Sequence, residues 1–258
     1  MQTLNFIMKN KEITQKYAYK VLSFLLILTV WKVLSTRFSP LVVPTISSVF
    51  ESLLEIFMSE ELLKMIFLTV IRLLIGLTIG VGIGLVTGIL MGSSKIFKEI
   101  LFPIIGLFQT IPPVSWVVLA LVWFGFNGRP AIFIVVTSTL PIIAINVYEG
   151  ISSIDQRLVE MAKLYKYSKE KRFIHVVFPS IMPYFNSAFR IALGSGWKIA
   201  VMGEVLTTSD GVGGMIKLAR LNVEPENIIA WSIVIVILFY ISDFLLGKTF
   251  FRKESDQC

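Results

Sequence analysis

Residues 73–91 read LLIGLTIGVGIGLVTGILM, nineteen residues without a charge. A helix rises about 1.5 Å per residue and the hydrocarbon core of a bilayer is about 30 Å thick, so about 20 apolar residues cross it. The stretch reads as a membrane span. Gly76, Gly80, Gly84 and Gly88 recur at every fourth position, with Gly92 just beyond. That period places all five on one slowly drifting stripe of a helix. In lipid no hydrophobic force presses helices together, and small residues at this spacing let two backbones approach for dispersion contact. The stripe is therefore read as a packing groove. A nucleotide loop is the competing reading, and it fails because Gly80-Val81-Gly82-Ile83-Gly84 is followed by Leu85 and no strand precedes it.

Working outward, the whole chain has the same character. Its 258 residues are 55% hydrophobic and 16% charged, with a mean hydropathy of +0.79. A soluble domain carries about 25% charged residues, so a soluble enzyme is excluded. Residues 130–148 form a second charge-free run of nineteen, and residues 100–128 a run of twenty-nine. The longer run exceeds one straight helix, and Pro103, Pro112 and Pro113 interrupt it, so a kinked span or a helix with a re-entrant piece is expected. An all-α, polytopic membrane protein follows, with six spans at about 17–34, 67–91, 100–126, 130–148, 185–206 and 228–246. A segment 1–16 precedes this domain of 17–247, and a tail 248–258 follows it. The first span could be a signal peptide, but residues 33–37 lack a small-x-small cleavage site, and an uncleaved anchor is expected.

Lys and Arg are retained on the cytoplasmic side of a membrane protein. With the N-terminus inside, the inner segments hold fifteen and the outer segments five. Both termini are expected in the cytoplasm of a multi-pass protein of the cell membrane. The net charge of +7 is then a topology signal and a lipid-headgroup attraction. No basic stripe interleaved with aromatics points to nucleic acid. The single cysteine, Cys258, and the single histidine, His175, cannot build a metal site, and no cofactor is implied. Gly247-Lys248-Thr249 follows a membrane helix rather than a strand and is no phosphate loop. No catalytic constellation is visible, so the chain is not expected to be an enzyme, and any ATP is used by a partner.

The loop 149–179 is the informative polar segment. Leu158, Met161, Ala162 and Tyr165 fall at helical spacing, so its first half reads as a short amphipathic helix. Periodicity leaves open whether that helix lies on headgroups or docks on another protein.

Glu160-Met161-Ala162, followed by Phe173, Val176, Val177, Phe178 and Pro179, resembles the EAA loop of binding-protein-dependent ABC transporter permeases. Ile111-Pro112-Pro113-Val114-Ser115-Trp116 and Trp123-Phe124-Gly125 resemble the third-span pattern of the nitrate, sulfonate and taurine branch. Glu204 followed by Gly211-Val212-Gly213-Gly214-Met215-Ile216 is similar to that branch as well. The likeness covers about residues 66–247. It implies a type I importer permease subunit, homodimeric, with a cytoplasmic ATPase subunit seated on the loop and an extracytoplasmic substrate-binding protein outside. Carried onto this chain, the coupling contact falls on Glu160, Met161, Ala162, Lys166, Tyr167, Phe173 and Pro179. Lys166 stands where the family has a glycine. If its backbone is left-handed, the lysine costs about 1 kcal/mol more than glycine, and a contact with an acidic partner residue is expected to offset it. The branch implies a small anion as cargo, with a vitamin or vitamin precursor as the alternative. An ATP-independent secondary transporter is the rival of another class, and its repeated halves are not seen.

Arg190, Lys198 and Glu204 lie on one span and need partners or water. Six positions separate Lys198 from Glu204, about 240° of rotation and about 9 Å of rise, so they do not pair within the helix. Lys198 is expected either to give positive potential to an anion pathway or to pair with another span or a second copy. Glu204, Gln109, Ser138 and Asn146 are further pathway candidates. Thr110, Ser115 and Thr139 are other hydrogen-bonding groups of the spans, and most such groups are expected to join helices.

Overall fold

The computed structural model describes the backbone of residues 2–250 and the side chains of residues 18–245 other than Lys169. Residues 251–258 of the expected tail, with Cys258, lie outside the described residues. Every regular element among the described residues is helical. Two compact units divide the chain, residues 1–58 with 219–230, and residues 59–218 with 231–258.

In the first unit, α1 (Gln2–Arg37) buries no side chain over residues 18–37. Trp31 Nε1 donates to the Pro44 carbonyl at 3.0 Å and fixes the turn after it. Thr45 Oγ1 accepts from Ser48 N at 3.1 Å and caps α2 (Ile46–Met58), which buries Val49, Ser52 and Ile56 on one face. This short helix is absent from the sequence reading because it is too short to span and lies between two apolar runs.

The second unit is built on a ladder. α3 (Leu62–Ser93) and α6 (Arg129–Ser152) run parallel, and a β-carbon on Gly76, Gly80, Gly84, Gly88 or Gly92 would meet Val135, Thr139, Ile143, Val147 or Ile151 in turn. Both sets repeat every four residues, so a glycine groove on one helix receives a β-branched ridge on the other. α9 (Phe178–Thr207) packs antiparallel to α6, with Gly203 against Ala131 and Ile134 at one end and Gly150 against Ile181 and Tyr184 at the other. Leu73, Leu77, Ile143, Val147, Ala192 and Trp197 close the core between these three helices.

α4 (Lys95–Thr110) continues through Pro103, then the chain breaks and α5 (Pro113–Phe124) leaves at 95°. Pro112 and Pro113 explain the break, since neither offers an N–H and each excludes α geometry from the residue before it. Phe108 and Trp116 stack across the bend at 5.2 Å, and Phe133 of α6 meets Trp116 and Trp123 edge-on at 6.0 and 5.6 Å. Among the described residues, four helices qualify as spans by length and apolarity, or five when the bent pair is one span, against the expected six. α9 is 30 residues long, but its polar residues, Asn186, Arg190, Lys198 and Glu204 among them, leave it short of that apolarity. α10 (Gly211–Asn222) and α11 (Pro225–Phe250) are the last elements of the described residues. Within the second unit, Trp197 Nε1 donates to Ser242 Oγ at 3.1 Å and Arg190 pairs loosely with Asp243 at 3.4 Å, joining α9 to α11.

Candidate functional site

The polar loop begins at Asp155, whose carboxylate accepts from Arg157 N at 2.9 Å and caps α7 (Gln156–Leu164). Ala162 is buried under this helix, while Glu160 and Met161 are exposed. Lys166 N donates to Lys163 O at 3.0 Å and Tyr167 N to Ala162 O at 2.9 Å. These are the paired bonds of a Schellman helix end, and Lys166 holds the left-handed position with φ at 50°. Ser168 Oγ then accepts from Lys171 N at 3.2 Å and opens α8 (Lys169–Arg172).

A five-residue π-turn, Phe173–Val177, carries the chain into α9, with Phe178 N bonded to Phe173 O. Pro179 has no N–H for the His175 carbonyl, which removes one α-type bond where the turn widens. His175 Nδ1 lies 2.9 Å from Lys171 O, and the Tyr167 ring meets the imidazole at 6.1 Å. A groove of about 560 Å³ runs between this loop and the helix ends, lined by Ile89, Gly92, Ile151, Val159, Phe173 and Val176. Of the expected coupling residues, Glu160, Met161, Lys166, Tyr167, Phe173 and Pro179 are exposed and Ala162 is not.

The charges of α9 have separate surroundings. Glu204 is wholly buried, and its carboxylate accepts from Thr69 Oγ1 and Arg72 Nη1, each at 2.8 Å, and from Gly213 N at 3.0 Å. Arg72 Nη2 donates to Asp210 Oδ1 at 2.8 Å, and Val212 N donates to Thr69 Oγ1 at 2.9 Å. The free N–H groups of the first turn of α10 are thus met by a carboxylate from α9 and a hydroxyl from α3. The glycines make room for this: a β-carbon on Gly211, whose φ is 74°, would lie 2.6 Å from Glu204 Oε1. One on Gly213 would lie 2.5 Å from the Val201 carbonyl.

Arg72 is missing from the sequence reading because it borders the charge-free run and looks like its end. The available signal was Glu204's need for a partner on another helix, with Arg72 three positions after Thr69 at the edge of a span.

Lys198 differs from Glu204. It is exposed, and its ammonium has no hydrogen-bond or ion-pair partner among the described residues. It borders a cavity of about 190 Å³ with Trp197, Ile235 and Phe239. Gln109 is exposed beside the bend, Ser138 is half-buried, and Asn146 Nδ2 donates to the Ile142 carbonyl of its own helix at 2.8 Å. No hydrogen bond among the described residues joins Lys198, Gln109, Ser138 and Asn146 to one another.

Three comparisons bear on the identity of this helical framework. The family model described as a binding-protein-dependent transport system inner membrane component matches residues 80–252. A taurine transport system permease protein of Escherichia coli (strain K12) is 27% identical over 222 residues, 83% of this chain and 81% of that protein. A nitrate import permease protein of Synechocystis sp. is 32% identical over 124 residues, 48% of this chain and 45% of that protein. Among solved structures, a bacterial ABC transporter involved in the import of the acidic polysaccharide alginate superposes with a TM-score of 0.65 at 16% identity. That match covers 93% of this chain and 97% of the other, and speaks for the fold alone. The family match and the apolar helices make the chain a multi-pass transport permease, and it belongs to the family of binding-protein-dependent transport system inner membrane components, the membrane subunits of ABC importers.

Proposed function

We propose that this chain is the membrane-spanning subunit of an ATP-driven importer that carries a small anion delivered by an extracytoplasmic binding protein. The family match over residues 80–252 carries the reading. Likeness to permeases for taurine and nitrate supports an anionic cargo. Two copies form the pathway, and an ATPase subunit docks on the loop 149–179 of each. The positive-inside count puts that loop and both termini in the cytoplasm. Closure of the ATPase pair moves α7, and the helices rock to change the side to which the cavity opens.

Lys198 supplies the electrostatics of anion passage. An unpaired ammonium within a span costs roughly 3 kcal/mol at the bilayer centre, so it faces water or an anion rather than acyl chains. Glu204 has a different task. With its carboxylate already receiving three donors, it fixes the turn into α10 and leaves the pathway to other groups.

The test is uptake of labelled taurine and nitrate into proteoliposomes holding this chain, its ATPase and its binding protein. ATP-dependent accumulation of either anion is expected, and Lys198→Met is expected to lower it about tenfold, the effect of losing about 1.4 kcal/mol of interaction, with ATPase association unchanged. Uptake that persists without ATP would overturn the importer reading. Accumulation of neither anion would favour the vitamin-precursor cargo, and normal uptake by Lys198→Met would remove that lysine from the pathway.

A further inference from the structure

Lys166 ends α7 in the half of φ space that a β-carbon disfavours and glycine tolerates. Val223 ends α10 through the same pair of backbone bonds with φ at 60°. There Pro225 stands two positions on and cannot continue a helix, so the sequence itself enforces the stop. Tyr167 and Ser168 follow Lys166, and neither forbids a further helical turn. Ser168 caps the helix that follows, and the stop after α7 places a lysine in a conformation that suits glycine.

What the lysine contributes is not found among the described residues. Its side chain is exposed, and the ammonium has no partner among the described residues. Beside it Leu164 and Tyr165 are 82% and 73% exposed, an apolar margin able to exclude water from a charge contact. Exposed Arg157, Lys163 and Lys171 lie on the same segment, and its acidic residues after the cap are Glu160 and Glu170. The face is basic and apolar together, and its complement is acidic with an apolar border.

We infer that Lys166 is a specificity contact of the coupling loop, its ammonium pairing with an acidic side chain of the ATPase subunit. The inference rests on the importer reading above and adds the chemistry of the contact. An anionic headgroup would respond to the summed charge of Lys163, Lys166 and Lys171, and needs no lysine at this one left-handed position. A protein carboxylate at a fixed place does, because the Schellman end sets the direction in which the side chain leaves the helix.

The experiment compares the wild-type chain with Lys166→Gly, Lys166→Gln and Lys166→Arg in nanodiscs of zwitterionic lipid. Each is titrated with the purified ATPase subunit that co-purifies with the wild type. The Gly and Gln variants are expected to bind about three- to tenfold more weakly, the Arg variant near the wild type, and the differences to shrink at high salt. A thermal midpoint for Lys166→Gly at or above that of the wild type separates this loss from misfolding. Equal affinity of Lys166→Gly and the wild type would overturn the contact. So would a loss that appears only when anionic lipid is added, which would assign the charge to the bilayer. Failure of the wild type to bind any candidate ATPase would count against the importer reading, and the contact would fall with it.

Discussion

Arg72→Met is expected to cost the folded permease about 3–5 kcal/mol, the range for stranding one member of a buried ion pair. Glu204 is the reason. Its side chain has no exposure, and without the guanidinium it keeps only Thr69 Oγ1 and Gly213 N as donors to a full negative charge. Arg72 also holds Asp210, whose side chain is 49% exposed, so that second bond lies at the wet rim and contributes little. Asp210→Asn should therefore lower the thermal midpoint in detergent far less than Arg72→Met. The double variant Arg72→Met with Glu204→Met removes both charges and should recover much of the loss. A midpoint for Arg72→Met equal to the wild type would show that the pair does not hold the helices. No recovery in the double variant would instead point to the capping of α10 as the main contribution of Glu204.

The same cluster shows what a linear reading reaches. Glu204 and the Gly211-Val212-Gly213-Gly214 turn were visible as an unusual charge and a run of glycines, yet their relation is three-dimensional. Gly211 is needed because a carboxylate from the preceding helix fills the place of its β-carbon. Arg72 was hidden because a charge at the edge of an apolar run resembles the end of a span. The short α2 escaped for a related reason, since hydropathy finds lengths that cross a bilayer and α2 has only 13 residues. Lys166 was more legible: a family glycine replaced by lysine raised the question of left-handed backbone, and φ is 50°. The π-turn between α8 and α9 is not legible in the sequence, because the missing N–H of Pro179 does not by itself choose between a widened turn and a break. Lys198 stood out as a charge on an apolar helix, and no partner for it is found among the described residues.

Gly84→Val is expected to force α3 from α6 and to destabilise the bundle by on the order of 3 kcal/mol, the upper part of the range for overpacking. A β-carbon at Gly84 would lie 2.8 Å from Ile143 Cβ and 2.9 Å from the Leu140 carbonyl oxygen. Neither atom can turn aside, since a β-carbon and a carbonyl oxygen are both fixed by the helix backbone and move only with α6. Because the glycine stripe meets α6 at five successive rungs, a shift at Gly84 loosens its neighbours at Gly80 and Gly88. Gly84→Val with Ile143→Ala should recover only part of the loss, since the Leu140 carbonyl remains in place. Gly82 supplies the matched comparison on the same helix. A β-carbon there meets nothing within 4 Å, so Gly82→Val should leave stability unchanged or raise it slightly, because valine is a better helix former than glycine. Thermal midpoints and gel-filtration profiles of the three variants in one detergent decide the matter. A fall at Gly84 with none at Gly82 assigns the effect to backbone approach along one face. Equal falls would instead assign it to the loss of glycine from α3 as such, and equal stability would mean that the ladder carries no tight contact.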